Sequence, residues 1–132
     1  MLPAPHRMRR AADFTLAVRR GRRAGGPRLA VHLMLDPAAA GTPSPADLPR
    51  VGLVVGRSVG PAVTRTRVKR RLRAVAAARI AGLPPGSLMV LRANPAAADA
   101  TSADLGADLD RALARLLSPS PVDQRREQPV PS

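Results

Sequence analysis

The chain has no cysteine, no tryptophan and no tyrosine, and Phe14 is its sole aromatic residue. Without thiols there are no disulfides and no thiolate metal sites. With one ring, the core must be aliphatic, and stacking of bases on aromatic side chains is mostly unavailable. No apolar run approaches the roughly 18 residues that a bilayer span requires. No membrane partner is therefore expected, and the default compartment is the cytoplasm. Acidic residues are missing altogether between Asp47 and Asp99. The Arg-rich, acid-poor stretch from Met1 to Arg23 would also suit an organellar transit peptide. Against that, Phe14, Ala17 and Val18 read as a core-facing helical stripe that stops at Gly21.

What is abundant is positive charge. Lys and Arg number 22 against 9 acids, a formal net charge of +13, and every cation but Lys69 is arginine. Such a balance points to nucleic acid, and guanidinium groups favour planar, bidentate contacts with phosphates and bases. A GC-rich coding bias explains much of the arginine preference, but it does not explain why the cations cluster. With 132 residues and 45% hydrophobic content, one modest core and one domain are expected.

Along the chain, a loose basic start (His6, Arg7, Arg9, Arg10) leads into a short helix from about Arg10 to Arg20. Ala11, Phe14, Ala17 and Val18 share one side of it. Arg19, Arg20, Arg22 and Arg23 crowd its end, where cations suit the helix dipole and could equally grip phosphate. Strands are expected over Arg28 to Leu35, Arg50 to Arg57 and Ser87 to Ala93, each a short apolar run between turn residues. The Pro, Ala, Gly and Ser of residues 37–49 read as a flexible loop. A last helix begins near Thr101 or Ser102, with Asp104 in its first turn and a stripe of Leu105, Leu109, Leu113, Leu116 and Leu117. From Ser118 onward, the proline-rich tail to Ser132 is expected to be disordered.

The most informative segment is Arg65-Thr-Arg67-Val-Lys69-Arg70-Arg71-Leu-Arg73, with six cations in nine positions. On a helix over 65–80, Val68, Leu72 and Val75 form one narrow apolar arc and cations fill most of the rest. Pairs such as Arg65/Lys69, Lys69/Arg73 and Arg67/Arg71 repel at i,i+4, each costing about 0.2–0.5 kcal/mol. Cations in the first turns also oppose the dipole. A solvated face normally mixes signs, so an acid-free face of this kind is suited to polyanion. Thr64 or Thr66 is available as an N-cap.

Catalytic constellations are missing. His6 and His32 have no carboxylate nearby in sequence, and neither a zinc nor a P-loop motif is present. Asp104 and Asp108 share a helix face and could hold a weak ion, but capping and solvation are the plainer roles. No catalytic residue and no metal site are assigned to the protein.

The stretch Arg50-Val-Gly-Leu-Val-Val-Gly-Arg57-Ser-Val-Gly-Pro-Ala-Val-Thr-Arg65-Thr-Arg67-Val-Lys69-Arg70-Arg71-Leu-Arg73 closely resembles the protein subunit of bacterial ribonuclease P. Its signature is a glycine loop leading into an Arg-Asn-Arg-x-x-Lys/Arg helix. The resemblance spans roughly residues 5 to 117. It implies an α/β sandwich with a four-stranded sheet, a left-handed strand-helix-strand crossover and the element order helix, strands, helix, strand, helix. Organisation would be a flexible basic N-terminus (1–8), an RNA-binding domain (9–117) interrupted by the 37–49 loop, and the 118–132 tail. The resemblance further implies that a large RNA using magnesium cuts precursor tRNA at the 5′ end of the mature tRNA, while the protein binds no cofactor itself and joins that RNA 1:1. By position, Arg65, Arg67, Lys69, Arg70, Arg71 and Arg73 would contact the RNA subunit. Phe14, Val18, His32 and Arg57 would lie at a cleft receiving the single-stranded 5′ leader. Thr66 replaces the usual Asn of the signature, and the cleft lacks the family's usual aromatics, so leader binding should be more electrostatic. His32 is either a stacking surface or an ordinary half-buried strand histidine. Charge and fold class alone leave two competing roles, a ribosomal RNA-binding component and a DNA-binding regulator; the basic helix lacks the Asn, Gln and Glu base readers that a regulator would use.

Overall fold

The computed structural model describes residues 7–8, 11–35, 49–84 and 86–117. His6, Arg9, Arg10, the 37–49 loop apart from Pro49, and the 118–132 tail lie outside the described residues. Three helices and four strands follow in the order α1 (Ala11–Arg20), β1 (Arg22–Gly25), β2 (Leu29–Met34), β3 (Arg50–Val54), α2 (Ala62–Arg79), β4 (Leu88–Ala93) and α3 (Ser102–Leu117). The strands form one sheet in the order β1-β2-β4-β3. β1 and β2, and β2 and β4, pair antiparallel, whereas β3 and β4 are parallel and joined through α2, the expected strand-helix-strand crossover.

Alternation along the strands sorts the side chains onto two faces. Leu29, Val31 and Leu33 of β2 with Met89 and Leu91 of β4 pack against Val68, Leu72 and Val75 of α2 and Leu105, Leu109 and Leu113 of α3. Sheet, α2 and α3 thus make the sandwich that holds the main core. On the other face, Leu88 and Val90 pack with Ala17 of α1, Met8 and the partly buried Phe14, Leu16, Met34 and Val54. This smaller cluster covers only part of that face.

Several local expectations shift. Arg22 and Arg23 do not extend a helix end but sit on the edge strand β1. β3 ends at Val54, and Arg57–Val59 forms a 3-10 turn. Val18 is 42% exposed instead of core-facing, because it borders an open cleft beside α1, and Leu117 at the end of α3 is also exposed. α3 begins with a reciprocal cap: the Asp104 N–H donates to Thr101 Oγ1 (3.0 Å), and the Thr101 N–H donates to Asp104 Oδ2 (3.1 Å). That backbone N–H and the Thr101 hydroxyl hold the Asp104 carboxyl below the usual carboxylate range.

Candidate nucleic-acid interface

The basic helix starts one turn earlier than the cation run itself. Gly60 has φ +152°, a conformation that side-chain-bearing residues avoid, and it turns the chain so that Pro61, with its fixed φ, opens α2. Thr64 and Thr66 therefore lie inside the helix, and no side chain caps its start. The expected threonine cap is not made: Pro61 holds the N-cap position and offers no side-chain acceptor to the first N–H groups of the helix.

Within α2 the apolar arc is buried as expected, with Ala76 added to Val68, Leu72 and Val75. The cations divide into two groups. Arg65, Arg71 and Arg79 are spent partly on the fold: Arg65 Nε donates to Gly60 O (3.1 Å), Arg71 Nη1 to Ala100 O (2.5 Å), and Arg79 to Val75 O and, bidentately, to Asp110 of α3. Arg67, Lys69, Arg70 and Arg73 make no hydrogen bond or ion pair among the described residues. Arg67 and Arg70 are exposed. Lys69 and Arg73 instead border a recess with Arg7, Phe14, Gly52 and Leu53, so this flank of the helix faces the β3 edge. Their repulsion has no acidic counterweight on α2 before Asp110 reaches Arg79 from α3.

Beside α1, an open cleft of about 300 Å³ is lined by Phe14, Thr15, Val18, Arg19, His32, Val54, Val90 and Arg92. Phe14 can lie against β3 because that strand carries Gly52, where a Cβ would overlap the ring. Asp13 fixes the same helix to β3 through an ion pair with Arg50 at 3.0 Å. His32 is 6% exposed, and its Nδ1 has no hydrogen-bond partner among the described residues. Burial, then the nearby Arg23 and Arg92, hold its pKa below the ordinary 6.5, so the imidazole is neutral at pH 7. Among the described residues no carboxylate lines the cleft.

Phe14, Val18 and His32 thus come together as expected, while Arg57, exposed in its 3-10 turn, does not line the cleft. Arg19, Arg92 and Thr15 were missed. Arg92 was legible in principle, since Leu88, Val90 and Arg92 alternate onto one strand face. Arg19 needed the position of α1, which no local pattern supplies. The acids are engaged elsewhere: Asp108, nearly buried, accepts from Arg28 Nε (2.8 Å) and Nη2 (3.2 Å) and from Arg111.

Comparison with known proteins converges on one family. The family model for ribonuclease P matches residues 2–117. The ribonuclease P protein component of Streptomyces griseus subsp. griseus is 57% identical over 120 residues, covering 89% of this chain and 96% of that protein. The ribonuclease P protein component of a Nocardioides species is 48% identical over 116 residues, covering 88% and 95%. Among solved structures, the RNase P protein of Staphylococcus aureus matches with a TM-score of 0.69 at 21% identity, covering 86% of this chain and 98% of that one. The RNase P protein of Thermotoga maritima gives 0.63 at 21% identity, covering 80% and 92%.

Proposed function

Since the chain belongs to the ribonuclease P protein family, as a protein component of that enzyme whose partner is the ribonuclease P RNA, we propose a division of labour between its two basic surfaces. The outward cations of α2 hold the RNA subunit, one protein to one RNA, and the cleft beside α1 receives the 5′ leader of precursor tRNA. The holoenzyme then removes the leader by endonucleolytic cleavage and generates the mature 5′ end, in the cytoplasm. Family membership removes the ribosomal and DNA-binding alternatives.

The observation that carries this reading is the set of unpaired cations on α2, Arg67, Lys69, Arg70 and Arg73, in a protein that pairs Arg28, Arg50, Arg79 and Arg111 with carboxylates. Phosphate neutralises them and relieves their mutual repulsion, with release of counterions. In the cleft, Phe14 offers one stacking face and Arg19 and Arg92 offer guanidinium planes. The buried Nδ1 of His32 is a hydrogen-bonding group that a base edge would satisfy.

Cleavage chemistry is assigned to the RNA. His32 is neutral at pH 7 but has no carboxylate to orient it, and among the described residues no group of three His, Asp or Glu side chains converges on a metal position. Asp13, Asp104, Asp108 and Asp110 are each held by an arginine or a helix cap. In this reading magnesium belongs with the RNA subunit, where it would serve the phosphodiester hydrolysis. Cleavage of precursor tRNA by the cognate RNA at low magnesium, with and without this protein, tests the reading. Stimulation by the protein is expected. No stimulation, or cleavage by the protein alone, overturns it.

A further inference from the structure

Lys69 and Arg73 leave α2 in a different direction from Arg67 and Arg70. At 3.6 residues per turn, the first pair is centred about 110° around the helix from the second. Lys69 and Arg73 are half-buried, whereas Arg67 and Arg70 are exposed. The recess that Lys69 and Arg73 border lies at the outer edge of β3 and encloses about 200 Å³, with Phe14, Gly52 and Leu53 among its other walls.

Packing accounts for the stems of these two side chains, whose methylene groups cover apolar surface beside β3. It does not account for their charges. Neither residue makes a hydrogen bond or ion pair among the described residues. Cations also deter strand pairing at an open sheet edge. Here the start of that edge is already covered, because Arg7 bridges to Val51 and the Met8 N–H donates to Val51 O at 2.8 Å. Among the described residues no carboxylate lines the recess. Asp13, next to Phe14 in sequence, is held by Arg50 at 3.0 Å. Arg7 also lines the recess but is engaged already. Two uncompensated cations remain, one helical turn or about 6 Å apart along the axis, a spacing at which both can donate to the oxygens of one phosphate.

The cleft beside α1 identifies which phosphate. Phe14 belongs to both cavities, as one wall of the cleft and one wall of the recess. Along β3, Gly52 lines the recess and Val54 lines the cleft. They point to the same sheet face and stand two residues apart, about 6.6 Å. That distance is on the order of two charge spacings along a stacked nucleic-acid strand. A strand with its bases in the cleft therefore carries a neighbouring phosphate past Phe14 to Lys69 and Arg73. Arg67 and Arg70, on the outward face of α2, are left to the RNA subunit.

We propose that Lys69 and Arg73 bind a backbone phosphate of the precursor tRNA leader, adjoining the nucleotides in the cleft, and serve substrate binding instead of assembly with the RNA subunit. The inference rests on the leader-binding reading of the cleft. The test is a variant carrying Lys69→Gln and Arg73→Gln, assembled with the cognate RNA at saturating protein. Affinity is measured across salt for a precursor tRNA with a leader of about ten nucleotides and for mature tRNA, which has none. Affinity of the variant for the RNA subunit is measured separately.

Precursor affinity should fall about tenfold near 0.1 M salt, and the slope of log affinity against log salt should drop by about one to two. Affinities for mature tRNA and for the RNA subunit should stay at their parental values. The free variant should melt no lower than the parent, because the Lys69/Arg73 and Arg65/Lys69 repulsions are gone. Should it melt lower, Lys69→Gln alone carries the test at a slope change of about one. Unchanged precursor affinity, equal losses on precursor and mature tRNA, or a loss confined to RNA-subunit assembly would each overturn the assignment. A parent holoenzyme that binds precursor and mature tRNA equally would remove the cleft reading itself, and this assignment with it.

Discussion

Arg79 on α2 and Asp110 on α3 form a bidentate pair, with Nε to Oδ1 at 2.6 Å and Nη2 to Oδ2 at 3.0 Å. The pair lowers the Asp110 pKa and raises that of Arg79. It clamps the last turn of the basic helix to its neighbour, leaving the cations nearer the N-terminus of α2 to other partners. Because Asp110 is largely exposed, a double-mutant cycle of Arg79→Gln and Asp110→Asn should give a coupling of only about 0.5–1 kcal/mol in urea unfolding. Affinity for the ribonuclease P RNA should survive Arg79→Gln. A large loss would place Arg79 among the RNA contacts.

Asp108 is a stronger structural element, nearly buried and shared by Arg28 and Arg111. Asp108→Asn removes the close ionic partner of Arg28 and leaves it only the longer pair with Asp104 at 3.7 Å. Arg28 is partly solvated, so the cost should be about 2–3 kcal/mol, below that of breaking a fully buried pair. Thermal melting checks this, and a change under 0.5 kcal/mol would show that the network adds little.

Gly52 lets the Phe14 ring lie against β3, where the ring forms one wall of the cleft. Gly52→Ala pushes against the Phe14 ring, so leader affinity should drop while assembly with the RNA subunit stays at the parental level. Binding measured separately for the RNA subunit and for precursor tRNA distinguishes these effects. Equal losses in both would mean that the whole fold had shifted.

His32 gives the acid limb of stability a definite sign. Its folded pKa lies below 6.5, so on acidification the unfolded chain takes up the proton first. Stability is therefore intact above about pH 6.5, is lost as pH falls from there toward the depressed folded value, and levels off below it. His32→Gln should flatten that slope in urea midpoints measured between pH 7.5 and 5.5. A parental slope in the variant would assign the effect to another group.

Much of this was written in local patterns. The stripes Val68/Leu72/Val75 and Leu105/Leu109/Leu113 repeat at helical period, and β2, β3 and β4 are apolar runs bounded by turns, so these elements were legible. β1 was not. Arg22-Arg23-Ala24-Gly25 has no strand-like composition, and it is a strand only because β2 offers it an edge. The same holds for the site. The unpaired cations of α2 could be read from charge alone, and the cleft residues Phe14, Val18 and His32 from family resemblance. Arg19 and Arg92 enter the cleft through the packing of α1 on the sheet, and Arg28 meets Asp108 across 80 positions of sequence. Contacts of that range leave no local signal.

The most direct measurement is the salt dependence of assembly with the ribonuclease P RNA for a variant carrying Arg67→Gln and Arg70→Gln, the two exposed, unpaired cations of α2. The double change should leave the circular dichroism spectrum and melting temperature intact, weaken assembly at every salt concentration, and lower the log–log slope by about two. Assembly with parental affinity and parental slope would contradict RNA docking through α2.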